Sequence, residues 1–164
     1  MKISFKSRYT KILIGCITIY LGIFMISSCG NRSNKLPNDV PNVNIIVDGD
    51  KYNTIKGEGT WFDKEMGGGN SFIGPINEKF NEISFIEVNS NEKLSFDISY
   101  LDNIQETTLY NIEFSEVVSG KRIKITNDIY EFNVPQEKGE YYYSFNIEWD
   151  DTHNFEYLFK IKVK

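Results

Sequence analysis

Two patterns of apolar residues divide this chain. Between Ile12 and Ile26, fifteen uncharged and mostly apolar residues follow one another without a break. From Val43 onwards the large apolar residues instead recur at every second position, the period of a strand with one buried face. The end of the chain shows this best: Tyr141, Tyr143, Phe145, Ile147 and Trp149 alternate with the more polar Tyr142, Ser144, Asn146, Glu148 and Asp150. FEYLFKIKV repeats the pattern, with Phe155, Tyr157, Phe159, Ile161 and Val163 inward and Lys160 and Lys162 outward. The residues Asp150 to Asn154 between them suit a hairpin loop.

Shorter alternations occur at Val43, Ile45 and Val47; at Ile83 and Phe85; and at Leu94, Phe96, Ile98 and Tyr100. Others are Tyr110, Ile112 and Phe114; Ile123 and Ile125; and Tyr130, Phe132 and Val134. The turn sequences DGD, NSNEK, VSGK and PQEKG separate several of them. About eight strands are predicted, and no segment of ten or more residues carries a helical period. Strands apolar on one face need a second layer, and without helices that layer is another sheet. The prediction is an all-β antiparallel sandwich over residues 43–164.

Charge changes the picture at the start of the chain. Lys2, Lys6, Arg8 and Lys11 precede the long apolar run with no acidic residue among them. A basic head, an apolar stretch and then small residues is the order of a secretory signal, and basic residues stay on the cytoplasmic side, so the remainder is expected outside. Loss of residues 1–28 leaves 14 of the 18 Lys and Arg against all 23 Asp and Glu, a net charge of −9. Such a surface repels phosphate backbones, which removes nucleic acid from the expected partners.

Cysteine and histidine exclude further classes. Cys16 and Cys29 lie inside the apolar run and just behind it, so no disulfide can form within the exported domain and a hydrophobic core must stabilise it. With a single histidine, His153, zinc sites built on several His or Cys are excluded within one exported chain. Neither phosphate-binding glycine pattern occurs, nor does a Gly-x-Ser-x-Gly elbow. His153 lies in DDTHN, which reads as a solvated turn.

The residues Ile26-Ser27-Ser28-Cys29 resemble the lipobox of bacterial lipoproteins, an aliphatic residue and two small ones leading into a cysteine. The resemblance implies that the Cys29 thiol receives a diacylglyceryl group, the only non-protein group expected, and that a dedicated peptidase removes residues 1–28. Two acyl chains make a lasting anchor, since each buried methylene gives ~0.8 kcal/mol and one chain holds only marginally. The alternative is an uncleaved helix, because the nineteen uncharged residues from Ile12 to Gly30 approach a bilayer span. That alternative gives no reason for small residues before a cysteine. GNRSNKLPNDVPN, Gly30 to Asn42, is polar and punctuated by Pro37 and Pro41. It reads as a flexible tether spanning ~20 Å, holding the domain at the extracytoplasmic face of the cell membrane.

KGEYYYSF resembles the start of strand F in immunoglobulin-like domains, with Gly139, then Tyr141 at the tyrosine corner, and Tyr143 where many such domains carry a disulfide cysteine. The lack of any cysteine in residues 43–164 excludes an antibody-type core and leaves fibronectin-like and other immunoglobulin-like sandwiches. The resemblance implies a hydrogen bond from the Tyr141 hydroxyl to the backbone near Pro135 to Gly139. The exported segment as a whole is similar to small lipoproteins of Gram-positive bacteria. GEGTW (Gly57 to Trp61), a variable loop and the closing KGEYYYSFNIEW hairpin carry that likeness, which brings no activity with it.

Candidate chemistry sits in loops. DKEMGGGNSFIGPINEK, Asp63 to Lys79, interrupts the β pattern for seventeen residues, a length that marks a functional or a disordered segment. Met66, Phe72 and Ile73 within it, and Trp61 just before it, are the candidate binding residues, facing an unknown protein or an envelope glycan. The competing reading folds the loop over an open end of the core. Most aromatic residues fall on inward faces, leaving Trp61 and Tyr142 for a sugar surface. Acid pairs at Asp48/Asp50, Asp63/Glu65 and Asp150/Asp151 lie in predicted loops. Calcium needs several such oxygens to converge, and turn chemistry explains Asp48-Gly49 alone, so no metal ligand is assigned. Glycoside hydrolysis by two carboxylates requires a cleft between them. The expectation is therefore a binding or interaction module without catalytic residues, with a cell-envelope hydrolase or carbohydrate-binding module as the alternative.

Overall fold

The period-two segments form strands in the computed structural model, which describes residues 36–63, 67–114, 121–127 and 130–164. In chain order these are β1 (Val43–Val47), β2 (Asp50–Asn53), β3 (Ile55–Asp63), β4 (Gly67–Ser71), helix α1 (Ile76–Asn81), β5 (Ile86–Val88) and β6 (Lys93–Ile98). β7 (Glu106–Glu113), β8 (Lys121–Asn127), β9 (Glu131–Asn133), β10 (Gly139–Asp150) and β11 (His153–Val163) follow. One sheet has the order β2-β1-β6-β9. The other has the order β4-β3-β11-β10-β7-β8, with β5 pairing parallel to the last residues of β11. All other pairs are antiparallel.

The protein is thus the expected all-β sandwich. Its core draws Val43, Ile45, Leu94, Phe96 and Phe132 from the smaller sheet and Tyr143, Phe145, Phe159 and Ile161 from the larger. Phe96 stacks on Phe145 with centroids 3.8 Å apart, and Tyr143 on Phe159 at 5.1 Å. Strands β6 and β9 pair in one sheet while β7, β10 and β11 lie side by side in the other, as B, E and C, F, G do in an immunoglobulin-like sandwich. The Tyr141 hydroxyl donates to the Glu137 carbonyl at 2.9 Å, the corner bond that KGEYYYSF implies.

Five details depart from the sequence reading. Described strands number eleven rather than about eight. Tyr110, Ile112 and Phe114 do not face the sandwich core: they lie on the outer side of the larger sheet, where Ile112 and Tyr110 pack with Ile76, Phe80 and Leu158. Phe114 meets the Phe80 ring there at 5.7 Å. Ile86 and Val88, not Ile83 and Phe85, supply the buried positions of β5. Tyr130 and Ile125 are exposed.

The fifth departure explains the second. The described part of segment 63–79 holds β4 and the start of α1. Ile76 and Phe80 sit one helical turn apart and both are buried, so α1 lays a single apolar stripe on the outer face. Six residues give too short a stripe for periodicity to reveal. Lys160, expected in water, is covered by this helix: its ammonium donates to the Phe80 carbonyl at 2.7 Å and lies 4.3 Å from the Phe85 ring centre.

The folded unit also begins before Val43. Leu36 and Val40 pack against the core, and Leu36–Lys164 forms one compact unit. Trp61 Nε1 donates to the Pro37 carbonyl, Lys56 Nζ to Val40 and the Tyr157 hydroxyl to Pro41. These carbonyls run in the opposite direction to β3, so residues 36–42 form a strap docked on the sandwich rather than the end of a flexible tether.

Candidate functional site

Only part of the outer face of the larger sheet lies beneath α1. The remainder is polar, and it follows from the alternation itself: the residues that β10 and β11 turn away from the core include Ser144, Asn146, Asn154 and Glu156. Pairing sets them in rows across the sheet. Asn70, Thr60 and Asn154 are register partners on β4, β3 and β11, and Glu156 faces Asn146, which faces Thr108. Asn70, Thr60, Asn154, Glu156 and Asn146, together with Glu58, Gly59, Ser71, Phe72, Tyr110 and Arg122, line a pocket of about 520 Å³.

Glu156 forms the floor. It is only 4% exposed, and its carboxylate is held by three groups of the protein. Oε1 accepts from Arg122 at 2.9 Å and from the Ser144 hydroxyl at 2.5 Å, and Oε2 accepts from the Glu58 backbone N–H at 3.2 Å. The last bond exists because β3 bulges opposite Glu156, the register slipping between Phe155 and Tyr157. An unpaired N–H at the bulge turns to the side chain instead of the neighbouring strand. Gly57 is what lets the carboxylate lie so close, since a Cβ there would collide with Glu156 Oε2. Gly59 likewise has no room for a Cβ, being covered by the Phe155 ring and the Asn154 carbonyl. Both glycines of GEGTW therefore serve close approach of β3 to β11.

Above this floor the side chains are only partly engaged. Asn70 Oδ1 accepts from the Thr60 hydroxyl at 2.9 Å, and Asn146 Oδ1 lies 3.0 Å from the Ser144 hydroxyl. The Asn154 amide has no partner among the described residues. Phe72 stands at the rim, 80% exposed. Arg122 crosses from β8 over β7 and β10 to reach β11, so its charge is matched by Glu156.

The candidate residues are distributed unevenly. Phe72 lies at this pocket, whereas Ile73 is half-buried against the α1 cluster. Trp61 is not available to a ligand: it is 7% exposed, edge-on to Trp149 at 5.2 Å and to His153 at 4.7 Å. Its polar tip already has the Pro37 carbonyl, which is how a buried indole is satisfied. Met66 lies outside the described residues, as does Cys29. His153 is a half-buried residue tied to the β10–β11 turn, with Nδ1 2.8 Å from Asp150 Oδ1 and 3.1 Å from the Thr152 hydroxyl. Burial raises the Asp150 carboxyl, but hydrogen bonds from His153 and Thr152 outweigh it and hold the group below its ordinary value.

A second pocket of about 490 Å³ lies along Asn42, Asn44, Lys51, Asn53, Thr54 and Lys56. Both lysines are engaged there, Lys51 with Asp97 at 2.6 Å and Lys56 with the Val40 carbonyl, and no exposed aromatic side chain borders it. Among the described residues no three His, Cys, Asp or Glu side chains converge as metal ligands, and no helix is long and apolar enough to cross a membrane. Compared with known proteins, the chain matches no family model and no curated protein.

Proposed function

We propose that this protein is a lipid-anchored lipoprotein on the extracytoplasmic face of the cell membrane, and that its immunoglobulin-like domain is a binding module acting through the outer face of its larger sheet. The lipobox at Ile26 to Cys29 supports the anchor. The binding reading is carried by one observation: a polar pocket with a prearranged floor opens beside a largely exposed phenylalanine, Phe72. Rigid polar groups next to an exposed ring are the composition of a recognition surface.

The anchor is tested by Cys29→Ala. Metabolic labelling with a palmitate analogue should be lost and the leader retained; a variant still membrane-bound at its mature size overturns it. For the binding reading, a photo-crosslinking amino acid is placed in cells at Phe72 and, as a control, at Leu101, which is 58% exposed on a different loop. Adducts at position 72 alone support it, and equal yields at both positions, or none, sink it.

A second reading, an envelope glycan hydrolase, has one observation in its favour: two carboxylates, Glu58 and Glu156, line the same pocket. Against it, Glu156 Oε1 already accepts two hydrogen bonds and Oε2 one, which leaves little capacity for proton transfer to a ligand. Release of reducing ends from purified cell wall, abolished by Glu58→Gln, would establish it in place of binding.

A further inference from the structure

We infer that the ligand of this outer face is an uncharged carbohydrate, stacked on Phe72 and hydrogen-bonded by Asn70, Asn146 and Asn154; this rests on the binding reading above. Four features of the pocket point the same way.

The first is charge. Arg122 is the one cation among the described residues of the pocket, and it is matched by Glu156, while Glu58 adds a further negative charge. A phosphate or carboxylate would have to compete with Glu156 for the guanidinium, inside an acidic pocket. Metal cations are no better served, because no three ligating side chains converge among the described residues.

The second is the kind of polar group on offer. A carboxamide supplies donors and an acceptor together, which matches hydroxyls that both donate and accept. The whole Asn154 amide, and the Nδ2 groups of Asn70 and Asn146, have no partner among the described residues, although Asn146 and Asn154 are half-buried. A half-buried amide with unmet capacity is stabilised by a ligand that completes it.

Spacing is the third. Asn70, Thr60 and Asn154 come from three adjacent strands, so their backbones are about 4.8 Å apart, close to the width of a pyranose ring. The Glu156 and Asn146 row runs beside them. Such a grid meets successive hydroxyls of one ring rather than the single end of a peptide side chain.

The fourth is Phe72. A phenylalanine leaves its ring in water at a cost, and this one borders amides rather than an apolar patch. The axial C–H face of a sugar covers such a ring while its hydroxyls remain free to meet the amides.

The test uses the purified full chain in detergent micelles. It is titrated calorimetrically with cellotriose, maltotriose, tri-N-acetylchitotriose and soluble fragments of cell-wall glycan, with inorganic phosphate as the anionic control. At least one neutral saccharide should bind with a Kd below about 1 mM, and phosphate should not. Phe72→Ala should weaken that binding about tenfold, Phe72→Trp should retain it, and Asn154→Ala should weaken it about threefold or more. Urea unfolding of each variant confirms that it is folded. No saccharide binding up to about 10 mM, or binding indifferent to both alanine variants, overturns the inference. Adducts at Phe72 in cells without saccharide binding would sink the carbohydrate and leave the binding reading standing; loss of both would remove both.

Discussion

Strands β10 and β11 present two faces, and the two are buried by different means. Inward, Phe145, Ile147, Tyr157, Phe159 and Ile161 are fully enclosed by the opposite sheet. Burial there follows chiefly from apolar area, at about 1.5–3 kcal/mol for each large side chain, with the Tyr157 hydroxyl satisfied by the Pro41 carbonyl. Outward, Ser144, Glu156 and Lys160 are buried as well, though all are polar. Each is buried with a partner: Ser144 and Arg122 on Glu156, Lys160 on the Phe80 carbonyl. An unpaired polar group in those positions would be costly, so these three are held by matched bonds, whereas Leu158, between Glu156 and Lys160 on the same face, is buried beneath α1 through apolar area. At purely apolar inner positions such as Phe145 a substitution need only keep volume and apolarity, whereas at Ser144, Glu156 and Lys160 it must keep donors and acceptors.

That contrast can be broken at its strongest point first. Phe145→Ala removes a ring that is 0% exposed and stacked at 3.8 Å on Phe96, and should lower the free energy of unfolding by about 3–5 kcal/mol in urea titration. A cost as small as that of an outer-face change would mean that the sheets are not packed through this stack. Next comes Gly57→Ala, which needs no apolar loss to do damage. The added methyl displaces the Glu156 carboxylate from its three donors, and about 1–3 kcal/mol should be lost. Combining it with Glu156→Ala sharpens the point: the double variant should cost less than the sum, and strict additivity would disconnect the two residues.

Smaller effects probe the corner and the turn. Tyr141→Phe deletes one hydrogen bond to the Glu137 carbonyl with little change in packing, so roughly 1 kcal/mol is expected. Asp150 has its carboxyl held below the ordinary value, so its contribution is complete above the unfolded-state pKa and is lost as pH falls through the lowered folded-state pKa. Because its side chain is 41% exposed, the effect is modest. Asp150→Asn should lower the neutral plateau of a stability–pH curve slightly and so flatten its acid limb, leaving stability below the lowered pKa nearly unchanged; an unaltered acid limb would assign that limb to other carboxyls.

The inner face was legible in the sequence and the outer face only in part, for a physical reason. Alternation reports which residues a strand buries against the other layer, and it placed Phe145, Tyr157 and Leu94 correctly. It says nothing of a third layer, so Tyr110 and Ile112 were assigned to the wrong side and Lys160 to water, when α1 covers them. Nor does it reveal pairing between strands far apart in sequence, which is what joins Arg122, Ser144 and Glu156. Of the pocket residues, Phe72 was visible as an apolar residue in a glycine-rich segment. The amides were not, since asparagine is common throughout this chain and only register selects Asn70, Asn146 and Asn154. The one local signal was GEGTW, whose alternating glycines mark where another strand comes close. Trp61 looked like a surface aromatic because its acceptor, the Pro37 carbonyl, belongs to a segment that reads as tether.

That docked segment also sets how the domain carries a mechanical load. A pull applied at Leu36 is not delivered to an edge strand, from which β-hydrogen bonds can be unzipped one at a time. It passes through Trp61, Lys56 and Tyr157 into β3 and β11, in the interior of the larger sheet. The strap works as a strain relief, like the clamp on a cable, so tension on the chain reaches the pocket-bearing sheet as shear and leaves the order of its strands intact.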